Sequence, residues 1–336
     1  MTGDPADQAS GEEALIARYF RPLARDPGAF GLLDDAATLT PPPGCDIVLT
    51  ADAIVGGVHF FPDDPPDTIA KKALRVNLSD LAAKGARPVG FLLSLALPKT
   101  VGEEWLGAFA RGLGADADAY GCPLLGGDSV RTPGPVTISI AAFGLVPSGA
   151  MLRRSGARAG DRVVVSGTIG DAALGLLLRR DPDTARGWQL DRLAKDHLIE
   201  RYLVPQPRNV IAELLRRHAS AAMDVSDGLA GDLAKLCAAS GVGADIEVAR
   251  VPLSDAAQRA IAAGPTLVDT ALTGGDDYEI VATVPAAALD RLIAEAGAAG
   301  VSLAEIGTVR DLPGSVRFLD RAGNSLMFKE LSFSHF

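Results

Sequence analysis

The chain has 336 residues, enough for two domains of ordinary size, and 48% of them are apolar, so a substantial core can form. A formal charge of −10 argues against nucleic acid as the main partner, because no basic face offsets phosphate repulsion; an anionic ligand would need cations or a local basic residue. No apolar run reaches membrane-spanning length, the start MTGDPADQAS is polar rather than signal-like, and Cys45, Cys122 and Cys237 lack ligand-like spacing, which together read as a soluble, cytoplasmic protein with buried thiols, no zinc site and no disulfide framework.

Residues 1–11 read as disordered, and a first helix follows with Leu15, Ile16, Tyr19, Phe20 and Leu23 on one face. Pro41-Pro42-Pro43-Gly44 is a loop, strands are expected at 46–51 and 53–58, and a helix spans 67–84. A buried strand at 89–97, a helix at 102–120, a short strand at 122–125 and a longer one at 136–146 complete the first block. The text turns basic and turn-rich between 150 and 162, which places the domain boundary there: 12–150 and 151–336. Arg162–Ser166 opens a second β/α series, followed by a Gly-Thr-Ile-Gly-Asp turn and a helix at 171–180. Helices at about 190–202, 208–218, 228–240, 254–263 and 286–299 then accompany strands near 244–248, 279–284, 304–309 and 315–320. Alternating elements in two successive blocks predict two α/β domains.

Carboxylates recur beside glycines or at the ends of apolar runs: Asp34-Asp35, Asp52, Asp80, Gly126-Gly127-Asp128, Asp224-Val225-Ser226-Asp227-Gly228 and Gly274-Gly275-Asp276-Asp277. Without a neighbouring run of Lys or Arg, such a set calls for divalent cations, and Mg²⁺ takes hard oxygen ligands together with substrate phosphates. The pattern points to phosphoryl transfer by metal clamps rather than through a covalent nucleophile. Each piece also has a plainer reading. Asp52 at a strand's carboxyl end could be a turn or capping residue. Asp80 sits among Leu78, Leu81 and Ala82 in a helical run, where it is costly unless paired, metal-bound or on a solvated face. Gly126-Gly127-Asp128-Ser129 reads equally as a plain turn. An Asp227 N-cap with Gly228 behind it leaves Asp224 unexplained. Gly167–Asp171 reads better as an ordinary βα turn than as a phosphate turn, and His59 alone is more often structural. No Gly-x4-Gly-Lys phosphate loop, kinase catalytic loop, Gly-x-Ser-x-Gly elbow or His-Glu-x-x-His is present, so a phosphotransferase must use another scaffold.

The ordered set resembles the bacterial thiamine-monophosphate kinases, of the superfamily that also holds aminoimidazole-ribonucleotide synthetase, selenophosphate synthetase and the hydrogenase maturation protein HypE. The resemblance runs from Leu15 to Phe336 and rests on the acidic motifs above, Lys72–Ala83, Arg154-Ser155-Gly156-Ala157 and Phe333-Ser334-His335-Phe336. It implies the two-domain PurM-like fold: an N-terminal domain that binds ATP and Mg²⁺ and pairs its strands across a homodimer, and a C-terminal domain completing the cleft. It also implies phosphorylation of thiamine phosphate by ATP to thiamine diphosphate, by direct in-line transfer. Asp35, Thr50, Asp52, Asp80, Asp128, Asp224 and Asp227 are then metal ligands for several Mg²⁺ ions. Tyr120, Gly127, Asp128, Arg154 and Ser226 contact the nucleotide, and His59, Asp276 and Phe333 contact thiamine phosphate.

Three positions depart from the family pattern. Leu33 stands where a glycine usually precedes the first Asp pair, Ala51 replaces a hydroxyl residue before Asp52, and Ser332 replaces a glycine near the terminal aromatic. The rival readings are another ATP-dependent enzyme of the superfamily and a nucleotide-binding regulatory protein without turnover. Cys45 lacks the glycine-rich setting of a selenophosphate synthetase nucleophile, and the chain ends in His335-Phe336 rather than the cysteine of HypE.

Overall fold

The computed structural model describes residues 11–333 and resolves into two α/β units. The first comprises the residues up to Leu78 with Pro88–Ser148, and the second comprises Ser79–Arg87 with Gly149 onward. The expected disorder over 1–11 lies outside the described residues except for Gly11, which opens helix α1 (Gly11–Leu15). The predicted first helix continues only as a wide turn over Ile16–Phe20 and a tight one over Arg21–Leu23, where Pro22 removes an amide donor.

The first unit carries a four-stranded sheet in the order β1-β4-β2-β3, built from β1 (Cys45–Val55), β2 (Arg87–Leu97), β3 (Leu124–Arg131) and β4 (Thr137–Pro147). The two strands expected before residue 58 are one, because β1 pairs antiparallel with β4 along its whole length, from Cys45 opposite Pro147 to Val55 opposite Thr137. Alternation in β4 buries Ile138, Ile140 and Ala142, and the register puts Val48, Thr50, Asp52 and Ile54 of β1 on that same side. Helices α2 (Pro66–Ala83) and α3 (Glu103–Tyr120) belong to this stretch of chain. In α2, apolar residues fall on nearly every side, and even Lys72 is buried, its ammonium donating to the His59 carbonyl at 3.0 Å. Leu49 and Val130 remain exposed on the sheet's other residues.

In the second unit six strands run in the order β10-β7-β9-β5-β8-β6. They are β5 (Arg162–Ser166), β6 (Ala221–Val225), β7 (Gly243–Glu247), β8 (Glu279–Val284), β9 (Leu303–Arg310) and β10 (Val316–Leu319). The runs Val163–Val165 of β5 and Ile280–Ala282 of β8 are apolar without interruption because both faces are covered. Val163, Val165, Met223 and Val225 pack on one side with α8 (Leu229–Ser240), while Val164, Ala222, Ile280 and Ala282 pack on the other with α7 (Ala212–His218) and α11 (Leu289–Ala298). Ala82 and Ala83, at the end of α2, join this second cluster. Four further helices are α4 (Asp171–Arg180), α5 (Thr184–Gly187), α6 (Arg192–Leu203) and α9 (Asp255–Ala263), with α10 (Leu267–Thr273) between α9 and β8. Strand β6 and helices α5 and α10 are absent from the sequence reading. The run Ala221-Ala222-Met223 has no β-branched residue before Val225, and α5 and α10 are too short to show a period.

Candidate active site

In the first unit, Asp34, Asp35, Gly127 and Asp128 rim a cavity of about 740 Å³ whose floor is apolar, with Phe20, Leu125 and Phe143 among its walls. Gly126-Gly127-Asp128 is not a turn. It lies within β3, which pairs parallel with β2 after a register shift at Phe91/Leu92. At Gly127 a Cβ would lie 1.8 Å from the Leu93 carbonyl, so only glycine lets the two strands approach here and carry Asp128 to the rim. Asp128 and Asp34 each accept from the amide of the following residue, Ser129 (2.9 Å) and Asp35 (2.8 Å).

Thr50 and Asp52 lie elsewhere in the unit, on β1, with Asp52 exposed. The Asp52 amide donates to the Asn77 side chain at 3.1 Å. His59 closes the turn after β1: its Nδ1 accepts from the Val55 amide at 3.0 Å, which leaves the ring proton of the neutral imidazole on Nε2. Tyr120 ends α3 with its ring 5.5 Å from the guanidinium of Arg75, itself held by Asp116 at 2.6 and 2.9 Å.

The second unit gathers the remaining candidates around the end of β6. Asp276 and Tyr278 have left-handed backbones, φ +74° and +49°, and their amides donate to the carbonyls of Ser226 and Val225, both at 2.8 Å. The Phe333 amide donates to the Asp227 carbonyl at 3.0 Å. Backbone bonds therefore bring Ser226, Asp227, Asp276 and Phe333 together, and the strain at 276 and 278 is held by that ladder. Asp227 does not cap α8; Gly228, with φ +116°, occupies that position. Instead Asp227 pairs with Lys235 at 2.5 Å, and its amide donates to the buried Asp232 at 2.9 Å. Arg154 enters through its carbonyl, which accepts from Ser240 Oγ at 2.8 Å.

Asp224 is the most constrained of the set. It is only 5% exposed, and burial, followed by the carboxylates of Asp80 and Asp232, holds its acid group well above the usual range. The Ser79 hydroxyl and, after it, Lys84 pull the other way. Three acids, Asp80, Asp224 and Asp232, sharing a low-dielectric site are a donor set that suits a hard divalent cation. Among the described residues, no three His, Cys, Asp or Glu side chains already converge as a metal cage.

Beside this cluster runs a network that sequence reading missed. Glu279, fully buried, accepts from Arg201 (2.8 Å), Arg208 and Ser166 (2.6 Å). Asp277 accepts from the amides of Gly170 (2.6 Å) and Ala172 (3.2 Å), so a carboxylate of the chain itself fills the helix N-terminus of the Gly167–Asp171 turn. Burial pushes Asp277 up to about 8 despite these bonds. Lys84, Lys235 and Asp232 are the residues near the site that motif reading did not pick out; Asp277 was noted in its acidic pair beside glycines, but without a role.

The thiols are free. Burial raises Cys122 to about 12 and Cys237 to about 11, whereas Cys45 is only half-buried, contrary to its expected burial.

Residues 33–146 match the N-terminal domain, and residues 158–320 the C-terminal domain, of the AIR synthase related proteins. The thiamine-monophosphate kinase of Caulobacter vibrioides is 43% identical over 90% of this chain and 85% of its own. That of Salmonella typhimurium is 41% identical over 98% and 99%. The crystal structure of the thiamine-monophosphate kinase from Stenotrophomonas maltophilia superposes with a TM-score of 0.83 at 39% identity, covering 94% of this chain and 98% of that one. AaThiL complexed with AMPPCP and TMP superposes at 0.75 with 30% identity, covering 92% and 97%. A hydrogenase maturation protein HypE in complex with ATP shares the fold, with a TM-score of 0.78 at 20% identity. By sequence over nearly its whole length and by the fold of both its units, the chain belongs to the thiamine-monophosphate kinase family.

Proposed function

We propose that the protein transfers the γ-phosphoryl group of ATP directly to the phosphate of thiamine phosphate, with Mg²⁺ ions held by Asp35, Thr50, Asp52, Asp80, Asp128, Asp224 and Asp227. The observation that carries the metal part is Asp224, a buried acid whose ionised form is disfavoured by burial and by the neighbouring carboxylates of Asp80 and Asp232. Family membership and the relative bound to AMPPCP and TMP support the two substrates. When bound, Mg²⁺ would neutralise phosphate charge and align the reacting oxygens. The chain's own residues do the rest. Gly127 lets backbone approach the phosphates, while Tyr120, Arg154 and Ser226 contact the nucleotide. Asp276 faces the thiazolium cation, Phe333 offers it an aromatic surface, and His59 offers Nε2–H to the acceptor phosphate. An acceptor phosphate oxygen is already a nucleophile, so the reaction needs no covalent intermediate. ADP release coupled to an indicator reaction, with thiamine phosphate as acceptor, tests this reading. Turnover that depends on thiamine phosphate and stops in excess chelator is expected; turnover undiminished by chelator would remove the metal role.

The same reading makes the protein a homodimer working in the cytoplasm, in keeping with free thiols and the exposed Leu49 and Val130 of the first sheet. Light scattering is expected to give twice the mass of 34.6 kDa, and a stable monomer at every concentration would refute it.

A further inference from the structure

Lys84 is held at both ends. Its backbone closes the last turn of α2, where its carbonyl accepts from the Leu152 amide at 3.1 Å, and its ammonium donates to the Ala222 carbonyl at 2.9 Å. Strand β6 is the last of its sheet, and Ala222 turns its polar groups to the open edge: its amide donates to the Arg153 carbonyl at 3.0 Å while its carbonyl takes Lys84. Asp224 follows two residues later on the same face of β6, and Asp80 precedes Lys84 by one helical turn on the same side of α2. The Lys84 ammonium is thus fixed to the edge of β6 two residues from Asp224, and the charges of both Asp224 and Asp80 act on it, although burial, and then Arg154, lower its proton affinity.

We propose that Lys84 is a built-in counter-ion of the Asp80–Asp224 pair: it keeps the two carboxylates together without metal and sets how tightly the pair takes a divalent cation. This rests on the metal reading above. A fixed ammonium whose charge acts on both carboxylates lowers the negative potential that attracts a metal, while relieving their mutual repulsion when metal is absent. Its removal therefore has opposite effects on two measurable quantities, which a purely structural lysine would not produce.

The test uses the full chain without nucleotide. Mn²⁺ binding is measured by calorimetry and thermal unfolding is followed in chelator, for wild type, Lys84→Gln, Lys84→Arg and Asp224→Asn. Gln can still donate to the Ala222 carbonyl but carries no charge, and Arg keeps the charge. Lys84→Gln is expected to unfold several degrees lower in chelator and to bind Mn²⁺ about ten-fold more tightly, the order of effect of one nearby unit charge. Lys84→Arg should resemble wild type in both, and Asp224→Asn should lose the tight site. A destabilised Lys84→Gln with unchanged Mn²⁺ affinity would make Lys84 merely structural and overturn the inference alone. Absence of Mn²⁺ binding by wild type would overturn the metal reading, and the inference with it.

Discussion

Glu279 and Asp224 lie on neighbouring strands, with Val225 opposite Glu279 and Asp224 opposite Ile280, and both carboxylates are buried. Their surroundings differ in kind. Glu279 meets two guanidinium groups and a hydroxyl. Asp224 meets two other carboxylates against the Ser79 hydroxyl and a single lysine, so that burial and repulsion together make its ionised form costly. One acid is satisfied by the fold, and in the proposed mechanism the other is left for a cation to satisfy. A buried acid is thus informative only together with its partners.

The sharpest way to break the comparison is to remove charge at each site and read stability and activity separately. Glu279→Gln leaves Arg201 and Arg208 without an anion and should cost about 3–5 kcal/mol of stability in urea unfolding, the range for an orphaned buried charge. A loss below about 1 kcal/mol would show that water or another acid replaces Glu279 easily. Asp224→Asn should do the reverse. A raised carboxyl pKa means that the folded state disfavours the ionised acid, so stability falls as pH rises from the ordinary value of 3.8 toward the elevated one. Asn removes that penalty, and metal-free stability should hold or rise. Turnover should fall by about 10²–10³-fold, as for loss of one electrostatic contact to a transferring group. A variant both less stable and fully active would reverse the roles of the two acids.

Sequence reading reached the two-block α/β organisation because hydrophobic period and turn chemistry are local. It also singled out Asp224, since a helix cap accounted for Asp227 and not for its neighbour; in the fold even Asp227 gives the cap position to Gly228. The partners of Glu279 could not be read, because Arg201, Arg208 and Ser166 are 78, 71 and 113 positions away and nothing local marks them. Gly126-Gly127 misled for a physical reason. Paired glycines signal a turn, but here they serve close strand approach inside β3. Lys84 was overlooked at the end of the predicted helix, just past the Lys72–Ala83 motif, where a lysine reads as surface until the fold sets it against β6.

The smallest effect concerns a third buried acid, Asp171, at the start of α4. It accepts from Ser254 (2.5 Å) and Thr168 (2.6 Å) and pairs with His197 Nε2 at 3.0 Å. Burial pushes Asp171 up, but the bonds from His197, Ser254 and Thr168 outweigh it and leave its acid below the ordinary 3.8. The Asp171 bond in turn raises His197 above 6.5, against burial and the charge of Arg201. The two signs define a window. The histidine's contribution is complete below 6.5 and fades as pH rises through its raised value, while the aspartate's is present above 3.8 and is lost as pH falls through its lowered one. The imidazole is 44% exposed, so solvent screening limits the pair to about 1 kcal/mol or less. His197→Ala should therefore lower stability slightly at pH 5–6 and hardly at all at pH 9, with the serine and threonine bonds still holding Asp171. Urea midpoints measured across that range would decide it: an equal loss at both ends would mean that the ring acts by packing against α4, and that its charge contributes nothing.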